Sequence, residues 1–253
     1  MKKILIITFA FISICFSGCI VVNLADVNTP KPQGKQEVYT FLVGEYKGIH
    51  ISGYCDVNYY STPSDAVTLK VHSNLLEYFV IEVVNDILVI RTTKRIHYGS
   101  GQKAQITVSV PVLESVTIDG FNGSGGFGNV STFTAMDKIT SDVFHLLVRS
   151  AAEGKAELDV DNLFINIVGA GTYKLSGRAD TADIRLSGAG VLDALDLRTS
   201  DTMINLSGAG TIRINCSDNL QINAEGAGTV EYRGSPKLNQ KTSGVVTIKQ
   251  INY

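Results

Sequence analysis

The tripeptide Gly-Ala-Gly occurs at 169–171, 188–190, 208–210 and 226–228, with first glycines 19, 20 and 18 residues apart. A unit of that length cannot enclose a hydrophobic core. It can bury an apolar face only by stacking on copies of itself, so the period is a strong constraint on the fold. Aligned on the first glycine, the flanking positions form columns. Four residues before it stand Ile165, Ile184, Ile204 and Ile222, and two before it Ile167, Leu186, Leu206 and Ala224. Between them lie Asn166, Arg185, Asn205 and Asn223. After the turn come Tyr173, Leu192, Ile212 and Val230, then Leu175, Ala194, Ile214 and Tyr232, separated by the charged column Lys174, Asp193, Arg213 and Glu231. This is period-two alternation on both sides of a corner, the mark of half-buried strands. Each repeat therefore reads as two short strands joined at Gly-Ala-Gly.

Stacked, these units form an all-β parallel β-helix with coils of about 18–20 residues, right-handed by the general bias of parallel crossovers. Gly169, Gly171, Gly188, Gly190, Gly208, Gly210, Gly226 and Gly228 are the structural turn residues. In this reading Leu186 and Leu206 point inward, Ser187 and Ser207 point outward, and Ala189 and Ala209 are small enough to stack between coils. A weaker copy places Ala152-Glu153-Gly154 in the turn slot, with Leu146, Val148, Ala156 and Leu158 inward. Further upstream Val116 and Ile118 point inward, with a corner at Gly120-Phe121-Asn122 and an irregular loop over 122–140. Residues 39–113 are β-rich without the strict period and are expected to form irregular coils or an end cap. "VTLKV", "FVIEVV", "ILVIRTT" and "AQITVSV" are strands, Asn85-Asp86 a tight turn, "NLLEYF" one helical turn, and "GVVTIKQINY" the closing strand.

The N-terminal stretch "MKKILIITFAFISICFSGC" has basic Lys2 and Lys3, an apolar run and a small-residue end, the pattern of an export signal. Phe16-Ser17-Gly18-Cys19 resembles a bacterial lipobox, with Phe16 in place of the usual Leu. The resemblance implies cleavage before Cys19, lipid on its sulfur, and a membrane partner through that lipid. Ile20 after the cysteine, by the same resemblance, favours an outer-membrane lipoprotein of the cell envelope. The expected organisation is residues 1–18 as signal peptide, 19–38 as a lipid-anchored tether, and 39–253 as one β-helix domain. Within that domain, 39–113 is irregular and 114–253 carries the regular coils. Cys15 leaves with the signal, and Cys55 and Cys216 read as two buried thiols in alternating strands rather than as a disulfide.

Three further stretches resemble a known family: "YKGIHISGYCDVNYY", "LVIRTT" with "ITVSVPVLESVTIDG", and the Gly-Ala-Gly series. Together they run from Tyr39 to Ile251. The chain resembles the head GIN domain family, described as auto-transporter adhesins. Gly120-Phe121-Asn122 falls where that family's Gly-Ile-Asn is expected. The resemblance implies a right-handed β-helix similar in shape to pectate-lyase-like folds, and it implies no established activity.

The net charge of -2 gives no basic surface for nucleic acid. No cofactor motif and no Cys/His metal spacing is present. The Gly-Ala-Gly corners open strands rather than a helix and no Gly-Lys-Ser/Thr follows, so they do not read as phosphate sites. The expected function is a non-catalytic binding or adhesion module using a face of the β-helix, with a glycan or a matrix or cell-surface protein as partner. The tyrosines of "YCDVNYY", Tyr54, Tyr59 and Tyr60, are a candidate ligand face because such rings can stack on sugars. The alternative is a carbohydrate-active enzyme, a lyase or hydrolase. Asp180, Asp183, Asp193, Asp196 and Asp201, with Arg185 and Arg198, are its candidate residues, and hydrolysis requires two facing carboxylates. His50, His72, His97 and His145 read as strand-face or surface residues, and no histidine follows His145.

Overall fold

The structure, a computed structural model, describes residues 29–99, 101–121 and 130–252. The expected export signal, Cys19, most of the expected tether and residues 122–129, including Asn122, lie outside the described residues. The protein is nearly all β, 69% strand and 3% helix, with a β-solenoid of about six turns and a barrel-like N-terminal part. Its strands are β1 (Gln36–Leu42), β2 (Gly48–Ser52), β3 (Cys55–Tyr60), β4 (Ala66–His72), β5 (Phe79–Val84), β6 (Ile87–Thr92), β7 (Ala104–Ser109), β8 (Ser115–Asp119) and β9 (Ser131–Ala135). They continue with β10 (Ile139–Val148), β11 (Ala152–Gly169), β12 (Thr172–Gly188), β13 (Val191–Gly208), β14 (Thr211–Gly226), β15 (Thr229–Arg233), β16 (Lys237–Gly244) and β17 (Thr247–Gln250). One 3-10 turn spans Ser73–Tyr78.

From β10 onward each strand pairs in parallel with its equivalent in the next coil, as the repeat requires. Ile165 pairs with Ile184, Ile184 with Ile204, and Ile204 with Ile222. The apolar columns are buried: Ile184, Ile204, Ile212, Ile214 and Ile222 are fully enclosed, and only Tyr232 is partly exposed. Burial of one such side chain contributes about 1.5–3 kcal/mol.

Each regular coil has three faces rather than the two expected. Strands β11 to β14 run unbroken for 16 to 18 residues and turn twice without leaving the ladder. In β13 the buried positions are Leu192, Ala194, Leu197, Thr199, Thr202, Ile204 and Leu206. The inward spacing is two along a face and three at a corner, at Leu195-Asp196 and again at Ser200-Asp201. The 20-residue coil fits its neighbours by shifting register after Lys174 on one side and after Ala194 and Thr199 on the other.

The third corner is Gly-Ala-Gly. Gly188 has φ +126° and Gly208 φ +112°; a Cβ on Gly188 would lie 2.3 Å from the Gly169 carbonyl oxygen, and one on Gly208 2.6 Å from that of Gly188. The same carbonyls accept hydrogen bonds from the next residue of the upper coil: Ala189 N–H to Gly169 O at 3.1 Å and Ala209 N–H to Gly188 O at 2.9 Å. The central alanines are exposed, not stacked between coils as expected, because the chain bulges outward between two glycines that hug the coil below. At two corners the second glycine acts by space: a Cβ on Gly210 would lie 2.2 Å from Leu186 Cδ2 and one on Gly228 2.6 Å from Leu206 Cδ2. Two adjustments extend the repeat. The weak upstream corner is Ser150–Ala152, two residues earlier than expected, since Ser150 O lies under Gly169. A further corner occurs at Gly244, in register with Gly226.

The N-terminal half both extends the solenoid and caps it. Strands β2 and β3 form a coil that pairs in parallel with β8 and β9 on one side and with β6 and β7 on the other. The coil that comes first in the chain is thus inserted between two later ones. Beyond β7 the pairing turns antiparallel, through β4 to β1, and β5 closes against β6 through the Asn85-Asp86 turn, both residues with positive φ. At the other end, inward positions of the last coil become polar: Ile222 pairs with Gln240 and Ala224 with Thr242. Lys237 and Lys241 stand on β16 in that last coil, where charge opposes the pairing of a further strand.

Gly208→Val places a branched Cβ at positive φ against a backbone carbonyl. We expect it to cost at least about 2 kcal/mol and to lower the thermal midpoint measured by circular dichroism. Ala209→Val, at the exposed position beside it, should change the midpoint far less.

Candidate functional site

Three outward surfaces carry the chemistry. The first crosses the start of the solenoid. Asp119, 9% exposed, ends β8, with His50 and Arg149 in flanking coils. Arg149 donates to both Asp119 oxygens, at 2.9 and 2.8 Å, and His50 Nε2 lies 2.9 Å from Oδ2. Burial pushes the Asp119 carboxyl up, but the hydrogen bonds and charges of Arg149 and His50 outweigh it and hold the group below its ordinary value. The carboxylate therefore fastens three coils together beside the Gly120 corner. Its contribution is present above the pKa of an unfolded aspartate, about 3.9, and is lost as pH falls through the lower folded value. We expect Asp119→Asn to lower the melting temperature at pH 7. The variant should also lose less further stability than the wild type between pH 4 and 2, as read by thermal melts at each pH.

The second surface is the third face of the coils, a shallow groove of about 730 Å³ that includes Lys138, Asp159, Arg178, Asp180 and Arg198. Arg178 sits among carboxylates, 2.7 Å from Asp180, 3.3 Å from Asp159 and 3.9 Å from Asp161. Such exposed pairs hold the register and contribute little energy, about 0.2–1 kcal/mol each.

The third surface is the first face, before the Gly-Ala-Gly corner. Its outward side chains stand in three parallel rows. One row runs Asn162, Thr181, Asp201, Asn219; the middle row runs His145, Phe164, Asp183, Met203, Gln221; the third runs Asn166, Arg185, Asn205, Asn223. His145 and Phe164 stack with ring centroids 4.8 Å apart and planes 12° from parallel. Phe164 is 40% exposed. Beyond it the short Asp183 leaves a hollow of about 310 Å³ bounded by Phe164, Asp183, Asp201 and Gln221 among others. The amides link along their columns: Asn223 Nδ2 donates to Asn205 Oδ1 at 3.1 Å and Asn219 Nδ2 to Asp201 Oδ1 at 2.6 Å.

The expected tyrosine face does not form. Tyr54 is 4% exposed and Tyr59 fully buried, because the alternation of β3 turns Cys55, Val57 and Tyr59 inward together. Tyr59 packs by Phe133 and donates to Val110 O at 3.0 Å, and burial pushes its hydroxyl up to about 12. Tyr60 alone of the three points outward, half-buried. Cys55 and Cys216 are both buried free thiols.

The five aspartates weighed as enzymatic residues are spread over three faces. Asp183 and Asp201 are on the first, Asp193 on the second, and Asp180 and Asp196 on the third. Most are engaged: Asp180 with Arg178, Asp183 with Arg185 at 3.0 Å, Asp196 with Lys174 at 3.8 Å, Asp201 with Asn219. In the charged column only Arg213 and Glu231 pair directly, at 2.8 Å, while Lys174 reaches to Asp196 instead of Asp193. Among the described residues no group of three or more metal-binding side chains converges. The sequence reading passed over Phe164. Its signal was an aromatic residue at an outward position, between inward Leu163 and Ile165.

Residues 45–236 match the family described as "Putative auto-transporter adhesin, head GIN domain". The chain belongs to the head GIN domain family. Solved structures share the fold of this family member across nearly their whole length. A putative adhesin from Bacteroides fragilis is 23% identical, with a TM-score of 0.74, and the match covers 87% of this chain and 99% of that one. A putative adhesin from Parabacteroides merdae is 21% identical, with a TM-score of 0.66 and coverage of 88% and 98%. A protein from Parabacteroides distasonis described as putative lipid binding is 18% identical, with a TM-score of 0.67 and coverage of 88% and 99%. No curated protein matches the chain.

Proposed function

We propose that this head GIN domain protein is a non-catalytic binding module of the cell envelope, held at the outer membrane by lipid on Cys19, that engages its partner through the first face of the solenoid. The observation that carries the reading is that face itself. Its amide, hydroxyl and carboxylate side chains stand in register from coil to coil, with the His145–Phe164 pair at one end, on a backbone fixed by parallel ladders. Neighbouring coils set the row spacing at about 4.8 Å, so the surface is organised before any partner arrives, which lowers the cost of binding. Adhesin-like family membership supports a binding role and an envelope or surface location. Adhesin-like family membership favours this over the enzyme reading, and the candidate aspartates that share a groove are engaged by neighbours: Asp180 by Arg178 and Asp196 by Lys174, Asp183 by Arg185 and Asp201 by Asn219.

The lipid and the binding role are tested together. Mass spectrometry of the protein from its native membranes should show a diacylglyceryl-modified N-terminal Cys19, and Cys19→Ala should move the protein to the soluble fraction. Beads coated with the wild-type protein should adhere to host or bacterial surfaces under flow. An unmodified, freely soluble mature protein would overturn the anchoring, and beads that adhere to neither kind of surface would overturn the binding role.

A further inference from the structure

The stacked pair His145–Phe164 and the hollow beside it form a separate small site within the first face. The His145 ring covers the side of Phe164 toward the preceding coil. The opposite side of the ring turns to the following coil, where Asp183 is its register partner. At that point the row drops: the Asp183 side chain is 20% exposed, while Phe164 before it and Gln221 two coils later stand free. The hollow is therefore a shallow step with an upright aromatic wall, a floor that includes Ala182 and Met203, and polar groups on its rim.

The chemistry of that step is specific. One Asp183 oxygen accepts from Arg185, while the other, Oδ1, is buried and has no hydrogen-bond partner. That oxygen is closed off by its surroundings, so the acceptor open to a ligand is the exposed Asp201 carboxylate. On the rim, Thr181 is turned away by donating to Asn162 at 2.9 Å, while Asp201 is oriented by Asn219. Gln221 adds an amide with both donor and acceptor capacity. An aromatic wall that takes an apolar C–H face, next to fixed acceptors that take hydroxyls, matches the two-sided surface of a pyranose ring. The charge selects among sugars. Asp183 is balanced by Arg185, but no cation offsets Asp201, so an acidic sugar would meet net negative charge.

We infer that Phe164, Asp183 and Asp201 form a subsite for a neutral sugar residue of a glycan, with Gln221, two coils beyond Asp183, placed for the next residue. The inference rests on the binding-module reading above and names its ligand class. The chain along the solenoid axis has room to continue over Met203 toward Gln221, so an oligosaccharide should bind more tightly than a single sugar.

The test is calorimetric titration of the full chain in detergent with cello-, manno-, malto- and chito-hexaose, and with hexagalacturonate as the acidic comparison. We expect at least one neutral hexasaccharide to bind. For it, Phe164→Ala should weaken affinity about tenfold or more, while Phe164→Tyr should stay within about threefold. Lys174→Ala, on the second face, serves as the unaffected control. Melting temperatures of all variants establish that they are folded. The inference is overturned if no neutral hexasaccharide binds, if only hexagalacturonate binds, or if folded Phe164→Ala binds like the wild type. Bead adhesion with the same variants separates the two levels. Adhesion that survives Phe164→Ala removes this subsite and leaves the binding module, whereas a wild type that adheres to nothing removes the module itself.

Discussion

A glycine poised over the carbonyl of the coil beneath it is the contact on which the rest of this solenoid depends. At Gly188 and Gly208 the chain must turn out of one sheet and into the next while staying within hydrogen-bond reach of the coil below. A side chain there would collide with backbone, which cannot move aside. Positive φ at the same residues adds a conformational demand that only glycine meets cheaply. Because the corner keeps its hydrogen bonds, pairing resumes beyond it, and adjacent coils stay aligned through the corner until the shifts after Lys174, Ala194 and Thr199. That register aligns the isoleucine columns inside and the polar rows outside.

The energetic ranking follows from burial. Inward columns of isoleucine, leucine and valine dominate, since each enclosed side chain is worth more than any exposed charge pair on the surface. The exposed ion pairs around Arg178 and along the second face contribute mainly to register. The cluster of Asp119, Arg149 and His50 is different because Asp119 is nearly enclosed. It joins the inserted first coil to the regular stack, a place where chain connectivity supplies no help.

Much of this was legible in the sequence, and what was not has physical reasons. Period-two columns on either side of Gly-Ala-Gly specify two faces directly, and every aligned residue from Ile165 to Val230 in those columns is buried. The third face was hidden because its corners carry no common marker. In one coil the turn falls at Gly177, with positive φ, and in the next at Leu195-Asp196, where the inward spacing widens from two to three without a breaker residue. The position of β2 and β3 between later coils was hidden for another reason: a local pattern reports which way a side chain points, not which strand lies alongside. Tyr54 and Tyr59 misled as a ligand face because composition was read ahead of the alternation that buries Tyr59. Phe164 was legible in principle, as an apolar residue on the outward phase of a strand, but its meaning depends on His145 in the coil before and Asp183 in the coil after.

A rigid face whose rows are fixed by coil stacking is suited to recognising an extended partner, and its stiffness traces back to the corners. Native-state hydrogen exchange of the amides of Ala189, Ala209 and Ala227 tests this most directly, because each donates to the carbonyl of the coil below it at Gly169, Gly188 and Gly208. The account predicts that these three amides, although at an exposed turn, exchange only through global unfolding and as slowly as Ile184 and Ile204 in the buried columns. Exchange at the rate of an open surface loop would contradict it, showing that the coils are held by their cores alone and that the corners do not set the register.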